Sequence, residues 1–144
     1  MVIDSIRNGI VIDHIKAGRG MTLLRYLDFD NEHDTVAIIM NATSERRGKK
    51  DIIKIENVRG TEVDMDIVGL IDPGATVNII EDEIIKTKIR PSLPKKVVNV
   101  IKCRNPRCVT GSERGISHEF VLNSAEKQQY RCVYCDEIVS MQEE

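Results

Sequence analysis

Four cysteines, all beyond residue 100, constrain this chain more than any other feature. CRNPRC sets Cys103 and Cys108 with four residues between them, CVYC sets Cys132 and Cys135 with two, and 23 residues separate the pairs. Each pair can fold around one ion, and four thiolates at about 2.3 Å complete a tetrahedron that leaves no position for water. The expectation is one structural zinc ion per chain, held by Cys103, Cys108, Cys132 and Cys135. Iron can occupy such a site, and a redox disulfide is a second use of Cys132 and Cys135, but two paired spacings favour zinc. Around the cysteines, Lys102, Phe120, Val121, Tyr130, Val133 and Ile138 suggest short strands. A unit of about 50 residues buries too little surface to fold alone, so the metal supplies what its core lacks.

Just before the cysteines stands IRPSLPKK, Ile89 to Lys96, where Pro91 and Pro94 stiffen the backbone and remove amide donors. This predicts two domains, 1–94 and 95–144. The first carries 13 Lys and Arg against 16 Asp and Glu, the second 8 against 7, so the halves are −3 and +1. Neither resembles a polyanion-binding arm, and the near-neutral second half favours a protein partner over DNA or RNA. The net charge of −2 excludes a strongly basic nucleic-acid binder. No apolar run approaches the roughly 20 residues that span a bilayer, and Met1 to Asn8 lacks the basic-then-apolar pattern of a signal peptide. A cytoplasmic protein with no membrane and no nucleic-acid partner is expected, in a compartment where thiols stay reduced. The sequence shows no internal repeat, and its one low-complexity stretch is SERRGKK, Ser44 to Lys50.

The first half alternates strand and helix signals. The chain has no Trp, two Phe and three Tyr, so its core must be aliphatic, and the many Ile and Val favour sheet. Ile10 to Ile15 reads as a first strand; after Gly18 and Gly20, Met21, Leu24 and Leu27 fall at helical spacing. Thr35 to Met40 is an apolar run short enough to be a buried strand. After the polar loop, Asp51 to Val58 forms a third strand in which Ile53 and Ile55 alternate with Lys54 and Glu56. Thr61 with Asp64 resembles a capping box for a short helix faced by Val63, Ile67 and Ile71, which Pro73-Gly74 stops. Ala75 to Ile80 and Ile84 to Ile89 are two further strands, joined by Glu81, Asp82 and Glu83. The order βαββαβ plus one strand fits a single sheet with both helices on one face, the ferredoxin-like arrangement. The fold class is therefore α+β: this N-terminal sheet domain followed by a small all-β zinc-binding domain.

Function must come from the site, since fold does not decide it. Such a sheet binds RNA through exposed strand aromatics, and the five predicted strands hold no Phe, Tyr or Trp. They hold charge instead: Asp13 and His14 where the first strand ends, Lys54 in the third, Lys86 and Lys88 in the fifth, with Lys49 and Lys50 just before the third. Cations converging from separate strands neutralise phosphates, and a carboxylate accepts from ribose hydroxyls, so a nucleoside triphosphate uses both. A solvated face with Lys54 paired to Glu56 accounts for the spacing equally well. Adjacent strand residues point to opposite faces, so Asp13 and His14 reach one ligand only if the strand ends or bends there. Enzymatic readings are weaker. No GxxxxGKS or GxxxxGKT phosphate loop is present, and a His–Cys nucleophile pair needs a cysteine that the metal spacing already claims.

GIVIDHI, then GKKDIIKIEN (Gly48 to Asn57), ATVNII (Ala75 to Ile80), RPSLP (Arg90 to Pro94), and CxxxxC with a distant CxxC together resemble the regulatory chain of aspartate carbamoyltransferase. The likeness runs in register from about Ile3 to the last cysteine. It implies a non-catalytic subunit for pyrimidine biosynthesis, whose N-terminal domain binds CTP, ATP or related nucleoside triphosphate effectors. The zinc domain would hold the catalytic chain, and pairing with a second regulatory chain would bridge two catalytic trimers. Carried over by position, Asp13 and Lys54 would hold the ribose, and His14, Lys54 and Lys88 would face the triphosphate. Ile6, Ile80 and Ile85 would bound the base, backbone groups near Ile6 and Glu83 would read its edge, and Lys50 and Asn78 would complete the pocket. Glu83 stands where enterobacterial members carry Tyr, so the likeness there extends to the main chain alone. The short N-terminus implies no added contacts from a longer tail. The alternative is a stand-alone nucleotide-sensing or RNA-binding zinc protein, which needs no transferase partner.

Overall fold

The computed structural model describes residues 6–27, 35–45, 48–58 and 63–143. The chain divides into two compact units, Met1–Ser92 and Leu93–Glu144, and the division falls between Pro91 and Pro94.

In the first unit β1 (Gly9–Lys16), β2 (Thr35–Ser44), β3 (Gly48–Glu56), β4 (Thr76–Glu81) and β5 (Ile84–Ile89) form a five-stranded antiparallel sheet in the order β2-β3-β1-β4-β5. Helix α1 (Gly20–Leu27) connects β1 to β2, and α2 (Met65–Ile71) connects β3 to β4. The first four strands have the ferredoxin-like order, and β5 extends the sheet as a hairpin partner of β4. Register sets Ile10 between Ile55 and Ile79, and Ile12 between Ile53 and Val77. Ile10, Ile12, Ile53, Ile55 and Val77 are all fully buried, so one sheet face is a continuous β-branched layer. Helix α1 packs on β2, β3 and α2, and the helices add Leu23, Val68, Leu70 and Ile71 to this core. Burying each such side chain contributes about 1.5–3 kcal/mol, which outweighs the weak helix propensity of so short a segment as α2.

Three local expectations change in the folded chain. Thr35 to Met40 is not buried: β2 is an edge strand, half-exposed, and Met40 is open to solvent. An apolar run reads alike in a central strand and in one whose outer edge is free. Strand β3 begins at Gly48, so Lys49 and Lys50 are strand residues, and Arg46 and Arg47 lie outside the described residues. Asp64 is itself the N-cap of α2, accepting from the Asp66 and Ile67 amides, whereas Thr61 lies outside the described residues.

The second unit is a four-stranded antiparallel sheet of β6 (Lys96–Val98), β7 (Glu119–Ser124), β8 (Gln129–Cys132) and β9 (Ile138–Ser140) in sequential order. A single helical turn, α3 (Val109–Ser112), follows Cys108. Its core is small: Val97, Ile101, Phe120, Tyr130, Val139 and Met141. The Tyr130 hydroxyl donates to the Pro94 carbonyl at 2.6 Å, tying the unit's first residues to β8. Of the residues expected in strands, Phe120, Val121, Tyr130 and Ile138 are in them, and Lys102 and Val133 lie in the connecting segments.

Candidate functional site

Strand β1 is regular as far as Ile12, which pairs with Ile53; the next pair is Ile15 with Asp51. Asp13 and His14 therefore face the single residue Ile52, and His14 adopts φ 59°. This is a β-bulge, and it supplies the bend that an adjacent Asp–His pair needs in order to serve one site. A left-handed conformation at such a residue costs about 1–3 kcal/mol unless its surroundings hold it. Here they do. The Asp13 carboxylate accepts the His14 amide at 2.6 Å, and the Lys16 amide donates to Asp72 at 2.6 Å. Buried Asp51 accepts the amides of Gly18, Gly20 and Asn41 at 3.1, 3.0 and 3.0 Å. Nothing in the sequence patterning singles out Asp51, because its three donors come from distant segments.

On the sheet face opposite the helices, register aligns Lys54, Val11, Asn78 and Lys88 in one row across β3, β1, β4 and β5. A neighbouring row aligns Gly9, Ile80 and Ile85, and Ile6 Cγ2 lies 3.0 Å from where a Cβ on Gly9 would stand. Beyond the cationic row, the Lys50 ammonium reaches Asp13 Oδ1 at 2.9 Å. Burial raises the Asp13 carboxyl, but the Lys50 ammonium and the His14 amide outweigh it and hold the group below its ordinary value. The face thus grades from apolar, through cationic, to an Asp–Lys pair.

Among the described residues, His14 Nδ1 and Asn78 Oδ1 are buried polar atoms with no hydrogen-bond partner. Asn78 is 8% exposed and donates through its amide to the Val11 carbonyl at 3.4 Å. Leaving a buried acceptor unpaired costs about 1–3 kcal/mol, and both orphans belong to the predicted set. At the β4–β5 hairpin, Asp82 and Glu83 take φ 51° and 67°, a pair of left-handed residues as in a type I′ turn. The Glu83 amide donates to the Arg7 carbonyl at 2.8 Å, so that amide is engaged within the fold. Ile80 is half-exposed and Ile85 exposed, whereas Ile6 is buried.

A groove of about 950 Å³, lined by residues including Asn57, Val58, Met65, Ile79, Thr87 and Ile89, shares only Ile80 with the predicted set. It lies under the β4–β5 hairpin on the helix side and is largely apolar, so it does not collect the charges described above. A smaller hollow of about 580 Å³ is lined by Lys16, Ala17, Gly48 and Lys49.

In the second unit the four cysteine sulfurs lie within 4.8 Å of one another. Cys103 Sγ to Cys135 Sγ is 3.5 Å and Cys108 Sγ to Cys132 Sγ is 3.8 Å. A tetrahedral ion with bonds of about 2.3 Å has edges of about 3.8 Å, whereas a disulfide requires about 2.05 Å. The thiols are free, and their spacing fits one structural zinc ion. Cys108 and Cys132 are buried, and Cys103 and Cys135 are partly open. The Thr110 hydroxyl and amide bring the Cys108 thiol down to about 7, while burial raises Cys132 and pushes Cys103 up to about 12. The His118 imidazole accepts the Cys103 amide at 3.2 Å, and His118 is fixed in turn by Asn99 through its own amide at 2.9 Å.

These units define a class: an α+β protein in which an antiparallel sheet domain precedes a four-cysteine metal-binding domain. Residues 1–92 match the family described as aspartate carbamoyltransferase regulatory chain, allosteric domain, and residues 95–144 match the metal binding domain of the same chain. The aspartate carbamoyltransferase regulatory chain of Clostridium botulinum is 54% identical over 140 residues, covering 97% of this chain and 94% of the relative. That of Clostridium tetani is 53% identical over 144 residues, 100% and 99% of the two chains. That of Bifidobacterium longum is 47% identical over 137 residues, 95% and 97%. The chain belongs to the family of aspartate carbamoyltransferase regulatory chains, as its motifs implied. Among the described residues no helix is long and apolar enough to cross a membrane.

Proposed function

We propose that this chain is the non-catalytic regulatory subunit of an aspartate carbamoyltransferase, binding nucleoside triphosphates of the CTP and ATP type on the helix-free face of its first unit. The observation that carries this reading is the buried orphan Asn78 Oδ1, set in the row between Lys54 and Lys88, with a second orphan, His14 Nδ1, in the β1 bulge. A donor on the base or ribose would satisfy Asn78 Oδ1, His14 and the lysines would face the phosphates, and Ile6, Ile80 and Ile85 would border the base. Asp13 would take ribose hydroxyls once Lys50 turns to the phosphates. The zinc unit would hold the catalytic chain, and its exposed Val98, Val133, Tyr134 and Ile138 support a protein partner. The open edge of β2, ten residues long with Met40 exposed, supports pairing with a second regulatory chain, which would link two catalytic trimers. The second unit's cysteines gather as ligands, leaving none as a nucleophile with a positioned base among the described residues, which supports a subunit without its own chemistry. A role in nucleotide metabolism places it in the cytoplasm.

Copurification with the catalytic chain from the native cell tests the reading. The expected result is a stoichiometric complex whose carbamoyl transfer responds to CTP or ATP, and no transfer by this chain alone. Isolation without a catalytic chain, or transfer by the isolated chain, refutes it.

A further inference from the structure

We propose that Thr110 is a positioning residue for the metal centre, its hydroxyl donating to the Cys108 thiolate and governing how firmly that ligand holds the ion. The Thr110 oxygen is 3.1 Å from Cys108 Sγ and donates to it. Both residues are buried, at 8% and 2% exposure. A buried hydroxyl must give its proton to an acceptor, and because α3 begins at Val109, Thr110 has no helical carbonyl four residues back to take it. In this chain the proton goes to sulfur instead. Four thiolates around a dication leave a net charge of about −2 that the surroundings must absorb. Water reaches the partly open Cys103 and Cys135, whereas Cys108 sits on the closed side of the cluster. An internal donor there replaces solvent, spreads the sulfur's charge and aims its lone pairs.

Partners of this outer kind typically alter metal affinity by about ten- to a hundredfold when removed. The test uses the full chain. Thr110→Val keeps the shape and deletes the hydroxyl; Thr110→Ser keeps the hydroxyl and deletes the methyl. Zinc transfer to a chromophoric chelator is measured together with the thiolate-to-metal charge-transfer band of the cobalt(II)-loaded protein. Thr110→Val should lose zinc about ten- to a hundredfold more readily and move the band to lower energy, and Thr110→Ser should match the parent in both. A role in packing alone leaves the band in place. The proposal is overturned if Thr110→Val matches the parent, or if Thr110→Ser behaves like Thr110→Val. Should Thr110→Val not fold, the cadmium-loaded parent decides by nuclear magnetic resonance. Scalar coupling between the Thr110 hydroxyl proton and an NMR-active cadmium isotope supports the assignment, and its absence refutes it. The inference rests on the four-cysteine ligand set. If that set were wrong, the parent chain would fail to take up one metal, whereas failure of the Thr110 assignment leaves the parent fully loaded.

Discussion

Replacing Lys54 with Ala probes the nucleotide face directly. Lys54 and Lys88 sit three strand spacings apart, β3 to β1 to β4 to β5, or roughly 14 Å at about 4.8 Å per spacing. For both to engage one triphosphate, their ammonium groups must lean inwards over Val11 and Asn78. Among the described residues neither lysine has an ion-pair partner, so removing either leaves no charge stranded. Folding stability should move by no more than about 0.5 kcal/mol. A charge-assisted hydrogen bond contributes about 1.5–3 kcal/mol, so each substitution should weaken nucleotide binding about ten- to a hundredfold. Calorimetric titration of CTP and ATP into Lys54→Ala, Lys88→Ala and the double variant measures this. If both lysines hold one phosphate chain, their effects should be non-additive by about 0.5 kcal/mol or more, since they then share a partner. Asp13→Ala is the companion variant: it should weaken ribonucleotides more than deoxyribonucleotides, through the lost acceptor for ribose hydroxyls. Unchanged CTP and ATP affinity in both lysine variants would show that nucleotide binds elsewhere. The Asp13–His14 bulge would then be an ordinary strand ending.

Three other outcomes follow from the packing and the thiols. Gly69 of α2 lies against the Ser92 backbone so closely that a Cβ would collide with its carbonyl, and backbone cannot yield as a side chain end can. Gly69→Ala should destabilise the first unit by about 1–3 kcal/mol despite the better helix propensity of Ala; a denaturant midpoint at or above that of the parent contradicts this. Zinc uptake must displace thiol protons, above all from Cys103, raised to about 12. Affinity for zinc should therefore rise steeply from about pH 6 to about pH 8 in chelator competition, and a flat profile argues against thiolate ligation. Cys132→Ser or exhaustive chelation should unfold the second unit and release any bound catalytic chain, as read by circular dichroism and size exclusion, and an intact complex without metal would contradict this.

The metal centre was legible from the sequence because chelation by CxxxxC and CxxC is a local property: each short loop presents its own two sulfurs wherever the chain carries it. The same holds for the alternation of Ile53 and Ile55 with Lys54, which determines that Lys54 lies on the face away from the apolar layer. Other features belong to pairs of segments far apart in the chain. The edge position of β2 depends on which strand stands at the end of the order, so the apolar run Thr35 to Met40 carries no sign of its open side. The bulge at Asp13 and His14 exists only against β3, where two residues meet Ile52. Asp51 looks like any strand-end acid until amides from the β1–α1 loop, the start of α1 and β2 converge on it. Nor could spacing reveal that Asn78 is left with an unpaired oxygen, because satisfaction of a buried polar atom is a count over every neighbour that folding brings near. Periodicity and loop chemistry act within one segment and are written in it; register, edges and hydrogen-bond satisfaction arise only when distant segments meet.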